Sequence, residues 1–270
     1  MNSALPEPSA VPVALVTGAA KRIGRQIALS LAQRGWDIVV HYGKSLPEAA
    51  QVVAEIEQLG RRAIAVQADL GQAAEVKKLV PQTMAYFGRL DCIVNNASLF
   101  EPDSAEDFSQ LSLDLHMHAN LMAPVMLAQD LYANLPNDAQ AGMAAVINIL
   151  DQKLFNLNPD YLSYTLSKAG LHTATTMLAQ ALAPKVRVVG IAPGLSMMSG
   201  DQSASDFETA HKVTPLGRSS TPQDIAEAVC YVASARAITG TTLLVDGGQH
   251  LIPTQRDVMF LATAKSSSTL

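Results

Sequence analysis

"VALVTGAAKRIG", residues Val13 to Gly24, decides how the rest of the chain is read. Val13 to Thr17 has the unbroken apolar character of a strand buried on both faces. Gly18 follows, then a short loop, then Gly24 inside the opening turn of a helical pattern, Ile23 to Arg34. A helix N-terminus presents unpaired N–H groups and the positive end of a dipole, and glycine lets backbone come close to a bound group. Strand, glycine, loop, glycine, helix is therefore a seat for a dinucleotide diphosphate. A plain strand-to-helix turn that uses glycine for tightness is the alternative reading of the same residues.

The same apolar run recurs along the chain. It returns at Asp37 to Tyr42, Ala63 to Asp69, Cys92 to Asn96, Ala144 to Leu150, Val186 to Ala192 and Thr242 to Asp246. Helix-period segments such as Pro47 to Leu59 lie between. This alternation predicts an α/β fold, a parallel sheet with helices on both sides. The chain has 270 residues, 49% of them hydrophobic, enough for one large domain, and only 16% charged, which argues against disorder. A net charge of -5 without a basic stripe excludes nucleic acid as a partner. Cys92 and Cys230 sit in apolar runs and read as buried free thiols. Residues 1–10 read as a flexible arm with no signal peptide, and no apolar run is long enough for a membrane, so a cytoplasmic protein is expected. The domain is expected to span residues 11–250. The tail, 251–270, is expected to pack partly on the domain or a partner subunit and to end in disorder.

The second strand carries information through what it lacks. Enzymes that use NAD place an acid at its end for the ribose hydroxyls. Here the end reads His41, Tyr42, Gly43, Lys44, Ser45, a cation beside a hydroxyl. That composition welcomes a 2′-phosphate, and Lys21 and Arg22 add positive charge, so NADPH is the expected cofactor. Asp69, followed by Leu70, could accept from an adenine amino group or cap the helix that begins near Gly71.

"VINILDQKLF", Val146 to Phe155, runs a buried strand straight into Asp151. Tyr164 lies thirteen residues on and Lys168 four beyond that. If the segment after Pro159 is helical, Tyr164 and Lys168 share one face, and the ammonium favours the phenolate. An acid at this place can hold a proton where a hydroxyl cannot. The competing reading makes Asp151 a strand-end cap. His116 and His118 are two apart and do not share a helix face, and no other histidine has a ligand pattern, so no metal is expected.

"TGAAKRIG", "NNA" (Asn95 to Ala97), Asn120, "YTLSK" (Tyr164 to Lys168) and "APG" (Ala192 to Gly194) fall in an order and spacing that resembles the short-chain dehydrogenase/reductase family, from about Val11 to Gly248. The resemblance implies a single doubly wound Rossmann-like domain, a seven-stranded parallel sheet flanked by helices, assembled as a homotetramer. It implies that Tyr164 relays a proton, that Lys168 also binds the nicotinamide ribose, and that Asn120 bends a helix and holds a water. It implies cofactor contacts from Gly18, Arg22, Ile23, Gly24, Asn96, Ala97, Ser98, Pro193, Gly194 and Ser196.

Two departures point within the family. Arg22 stands where relatives usually have glycine, and Asp151 where they usually have serine. Both look like pteridine reductases, as do "NNAS" with Phe100 two residues later and "APGLS". That resemblance implies hydride transfer to a dihydropterin or dihydrofolate, with Asp151 and Tyr164 positioning or protonating. Phe100 would stack on the flat ring, Arg22 would bridge pterin and diphosphate, and Ser98 would touch either. Leu195, Met197 and Met198 would line the mouth within a substrate loop from Leu195 to Val213. A general carbonyl or 3-ketoacyl reductase is the competing function. A non-catalytic NADPH sensor is a third, disfavoured by the intact Tyr–Lys pair.

Overall fold

The computed structural model describes residues 11–198, 207–208, 211–212 and 214–257. The expected N-terminal arm, most of the expected substrate loop beyond Met198, and the end of the tail lie outside the described residues.

Seven strands form one sheet: β1 (Val13–Val16), β2 (Asp37–Tyr42), β3 (Ala63–Gln67), β4 (Cys92–Asn95), β5 (Ala144–Ile149), β6 (Val186–Pro193) and β7 (Thr242–Val245). Their order is β3-β2-β1-β4-β5-β6-β7 and every neighbouring pair is parallel. The order reverses between β1 and β4. Loops leaving the carboxyl ends there diverge to opposite faces and open a crevice. The two edge strands depart from the expected burial on both faces. β3 leaves Ala65 and Gln67 exposed, and all four residues of β7 are only partly covered, because each strand has a single neighbour in the sheet.

The helices are α1 (Arg22–Gln33), α2 (Leu46–Gln58), α3 (Ala73–Phe87), α4 (Gln110–Met117), α5 (Ala123–Asn134), α6 (Leu162–Ala181) and α7 (Pro222–Ser234). One face of the sheet is covered by α1, α2 and α7 around Ile27, Leu31, Ile56, Ile225 and Val229. The other is covered by α3, α5 and α6 around Leu79, Val80, Leu127, Leu131 and Ala179. Each fully buried Leu or Ile contributes about 1.5–3 kcal/mol, so the two apolar layers hold the sheet rigid beneath the crevice. A buried polar chain crosses the second layer. Asn95 Nδ2 donates to Asn148 Oδ1 at 2.8 Å, and Asn148 Nδ2 donates to Thr175 Oγ1 at 2.9 Å. It ties β4 and β5 to α6. Among the described residues no helix is long and apolar enough to cross a membrane. Cys92 and Cys230 are buried and free.

Candidate active site

The glycine turn is held in place by its neighbours. Thr17 Oγ1 accepts from the backbone N–H groups of Asn96 and Ala97, at 2.9 and 3.0 Å, and Asn96 Nδ2 donates to Thr17 O at 2.8 Å. Gly24 lies so close to this turn that a Cβ there would meet Gly18 O at 2.2 Å, which is why only glycine fits. No side chain caps the N-terminus of α1, and its first turn holds no acid. Those N–H groups are left without side-chain caps, as an anion seat would need. Arg22 takes the left-handed conformation, φ 54°, at the position where glycine is usual in the family it resembles. Such a residue carries of order 1–2 kcal/mol of strain. Its guanidinium crosses the crevice and donates to Met198 O at 2.9 Å.

Several expected cofactor contacts are turned inward. His41 is buried. Its Nδ1 accepts from Gly18 N at 3.0 Å and its Nε2 lies 3.1 Å from Ala68 O. Burial lowers its pKa to about 4, so the ring is neutral, donates to Ala68, and serves the turn rather than a ligand. Asp69 Oδ1 accepts from Gly71 N at 2.9 Å, closing the turn just ahead of the Gln72 N-cap of α3, so it does not cap the helix itself. The Ser196 hydroxyl donates to Gly194 O at 2.7 Å and lies 2.7 Å from Ser220 Oγ. Lys21 pairs with Glu48 at 2.7 Å, so its charge is answered locally. Lys44 and Tyr42 remain at the end of β2, Lys44 exposed, with Ser45 opening α2 without a side-chain cap bond. Leu70 and Ala97 are partly buried beside the turns that carry them.

A cavity of about 430 Å³ opens at the carboxyl end of the sheet. It brings together Arg22, Ile23, Asn96, Ser98, Phe100, Asp151, Tyr164, Lys168, Pro193, Gly194, Leu195, Ser196 and Met197 from five separate stretches of sequence. Tyr164 Oη donates to Asp151 Oδ2 at 2.7 Å, while Asp151 Oδ1 accepts from Lys153 N at 2.8 Å. One carboxylate thus caps the following 3-10 turn (Gln152–Phe155), the strand-end cap of the competing reading, and also meets the tyrosine. Burial raises the Asp151 pKa. Burial, then the nearby Asp151 charge, raises Tyr164 well above the ordinary phenol range. This corrects the expectation of an easily ionised tyrosine. Lys168 lies 5.8 Å from the centre of the Tyr164 ring but donates to Ile149 O at 2.7 Å, and burial lowers its pKa to about 8. Burial thus shifts both Asp151 and Tyr164 toward their protonated forms.

Asn120 sits in a π-turn, His118–Met122, that joins α4 to α5, so the expected bend is present. Its side chain is engaged: Nδ2 donates to Leu99 O and Ser167 Oγ at 2.9 and 3.0 Å, and Oδ1 accepts from Leu99 N at 2.8 Å. Ser98 Oγ reaches the same Oδ1 at 3.3 Å. The amide therefore fixes the loop after β4. Phe100 on that loop stacks on Tyr161, ring centres 4.3 Å apart at 15°, and meets Tyr164 edge-on at 4.7 Å. One face of Phe100 is covered from within the chain, so a flat ligand has the cluster's remaining surface. Asp103, further along the loop, caps α6 by accepting from Ser163 N at 2.9 Å.

Sequence reasoning missed Tyr161, Gln152, Gln249 and Asp257. Tyr161 precedes α6 with φ 57°, a strained conformation that no composition signal announces. Gln249 Oε1 accepts from Leu195 N at 2.9 Å and shapes the cavity wall beside Gln152. Asp257 arrives from the tail. Its backbone N–H donates to Asp160 Oδ2 at 2.7 Å, and Lys153 Nζ donates to its carboxylate at 2.9 Å. Arg256 pairs with Asp160, with Nη2 to Oδ1 at 2.8 Å, and Asn156 Nδ2 donates to Ile252 O at 2.7 Å. The described part of the tail is thus fastened to the loop after Asp151 in its own chain. Among the described residues no group of His, Cys, Asp and Glu could hold a metal ion.

Comparisons with known proteins agree with this geometry. A family model described as enoyl-(acyl carrier protein) reductase matches residues 18–250. The FolM alternative dihydrofolate reductase 1 of Brucella suis, solved with NADP, is 41% identical, with a TM-score of 0.85 over 92% of this chain and 98% of that one. Its counterpart from Brucella canis, also with NADP, is 40% identical, with a TM-score of 0.83 over 89% of this chain and 95% of that one. The 3-oxoacyl-[acyl-carrier-protein] reductase FabG of Staphylococcus aureus is 33% identical over 88% of this chain and 98% of its own length. With the sheet order, the glycine turn and the Tyr164–Lys168 pair in place, these likenesses make the chain a member of the short-chain dehydrogenase/reductase family.

Proposed function

We propose that this protein is an NADPH-dependent pteridine reductase that converts dihydropterins, dihydrofolate among the candidates, to tetrahydropterins. The observation that carries the reading is the 2.7 Å hydrogen bond from Tyr164 to Asp151 inside the cavity. Reducing a ring C=N needs a proton on nitrogen as hydride reaches carbon. Burial shifts the Asp151 carboxyl toward its protonated form, in which it can supply that proton through the tyrosine. The likeness to two dihydrofolate reductases with NADP bound supports both substrate class and cofactor.

The cofactor, when bound, supplies a hydride. Every other task falls to this chain. The uncapped start of α1 and Arg22 would hold the diphosphate, and Lys44 with Ser45 would hold the 2′-phosphate. Lys168 would steady the ribose. Phe100, Leu195 and Met197 would press the pterin flat against the nicotinamide, where aromatic stacking contributes about 0.5–1.5 kcal/mol beyond burial. Tyr164 would pass a proton to the ring nitrogen and recover one from Asp151. The homotetramer belongs to the same proposal, supported by the exposed apolar residues Leu111 and Leu115 on α4 and Leu166 and Met177 on α6.

A 3-ketoacyl reductase is the competing reading, favoured by the likeness to FabG. Against it, a ketone needs no carboxyl group beside the tyrosine. Following NADPH oxidation with dihydrobiopterin, dihydromonapterin, dihydrofolate and a simple β-keto thioester separates the two. Turnover of the thioester alone would overturn the pteridine assignment.

A further inference from the structure

The cavity holds a second carboxylate that the family motifs do not reach. Asp257 lines the same wall as Asp151, Tyr164 and Lys168, although it lies 106 residues beyond Asp151 in sequence. Its position is built, not incidental. The Asp160 carboxylate receives both the Asp257 backbone N–H and the Arg256 guanidinium. Lys153, itself 3% exposed, bonds the Asp257 side chain and Asn158. Asn156 holds the start of the segment through Ile252 O. Four contacts therefore lock a six-residue strap, 252–257, whose last residue lines the cavity.

We propose that Asp257 is a specificity-determining residue that makes this cavity favour reduction of C=N over C=O. The proposal rests on the pteridine-reductase reading and sharpens it to the bond type. In imine reduction a proton first binds nitrogen, giving an iminium cation. Hydride then brings two electrons to carbon, the C=N π pair becomes the nitrogen lone pair, and NADPH leaves as NADP⁺. In carbonyl reduction hydride arrives as negative charge builds on oxygen, and a proton follows. A fixed carboxylate on the wall stabilises the first course and opposes the second.

The surrounding charges permit this effect. Facing Asp151 are the Lys153 backbone from the following turn, Tyr164 and Lys168 from α6, and Asp257 from the strap. Lys153 pairs with Asp257 and Arg256 with Asp160, and Arg22 lines the same cavity. At Asp151 the repulsion from Asp257 outweighs the attraction of Lys168, and Asp257 also raises the pKa of Tyr164. Both effects keep protons in the site.

The test compares methylpyrroline, a plain cyclic imine, with diacetyl, an α-diketone, as substrates of the full chain. In Asp257→Asn, which keeps the shape and a bond to Lys153, the ratio of kcat/KM for methylpyrroline to that for diacetyl should fall about tenfold. The basic limb of the pH profile for methylpyrroline should move to lower pH, because Asp151 loses the charge that raises it. NADPH affinity should hold, which shows that the variant is folded. Asp257→Ser should give the same ratio, which guards against a defect peculiar to the amide. A ratio within twofold of the parent in variants that bind NADPH normally overturns the proposal. A parent that reduces methylpyrroline but no dihydropterin overturns the pteridine reading and leaves this test standing. A parent that reduces neither imine overturns both.

Discussion

Tyr164 donates to Asp151 Oδ2 at 2.7 Å while Asp151 Oδ1 accepts from Lys153 N at 2.8 Å, so one carboxylate joins the proposed proton donor to the loop that holds the tail. Replacing Asp151 by serine, the family's usual residue, keeps a hydroxyl but removes the stored proton. Activity on dihydropterin should fall by about 10²–10⁴, the usual worth of a general acid. The NADPH dissociation constant, read from nicotinamide fluorescence, should stay within a few-fold. An unchanged kcat would leave Asp151 with its capping role alone.

The same acid should leave a mark on stability. Its pKa is raised by burial, so the folded chain binds more protons than the unfolded one. Stability then falls as pH rises from the unfolded carboxylate range, about 3.9, through the folded value, and stays lower above it. Asp151→Asn removes this penalty. The difference in Tm, variant minus parent, should be more positive at pH 8 than at pH 5.

Arg22 holds φ 54°. Arg22→Gly and Arg22→Ala both lose the bond to Met198 O, but only alanine keeps a Cβ in the left-handed region. The glycine variant should be the more stable by about 1 kcal/mol in urea unfolding. Both should weaken NADPH binding relative to the parent, because both lose the cation at the diphosphate seat.

Lys44 is exposed at the end of β2, and Lys21 is already paired with Glu48. Lys44→Ala should therefore reduce the preference for NADPH over NADH about tenfold, as measured by the ratio of kcat/KM values. A preference that does not move would place the 2′-phosphate elsewhere.

The strands and their parallel order were legible because burial on both faces writes itself as unbroken apolar runs, such as Val146 to Leu150. Edge strands were less legible. Thr242 to Val245 reads like the central strands but is half covered, since a run of residues does not record how many neighbours it will have. Within the site, helical spacing put Tyr164 and Lys168 on one face, and the family resemblance put Asp151 with them, and all three line one cavity. Neither foresaw the internal partners of His41 and Ser196. Both lie where the motif puts a cofactor contact, yet their polar atoms found partners inside the protein.

Local chemistry in the chain was enough for the fold, the diphosphate turn and the Tyr164–Lys168 pair, because each depends on residues within a helix turn or a strand of one another. Tertiary structure alone decided the upward shift of Tyr164, the downward shift of Lys168 and the arrival of Asp257 beside them. A pKa depends on how much water the fold removes and on which charges it brings near, and contact across a hundred residues leaves no periodicity to read.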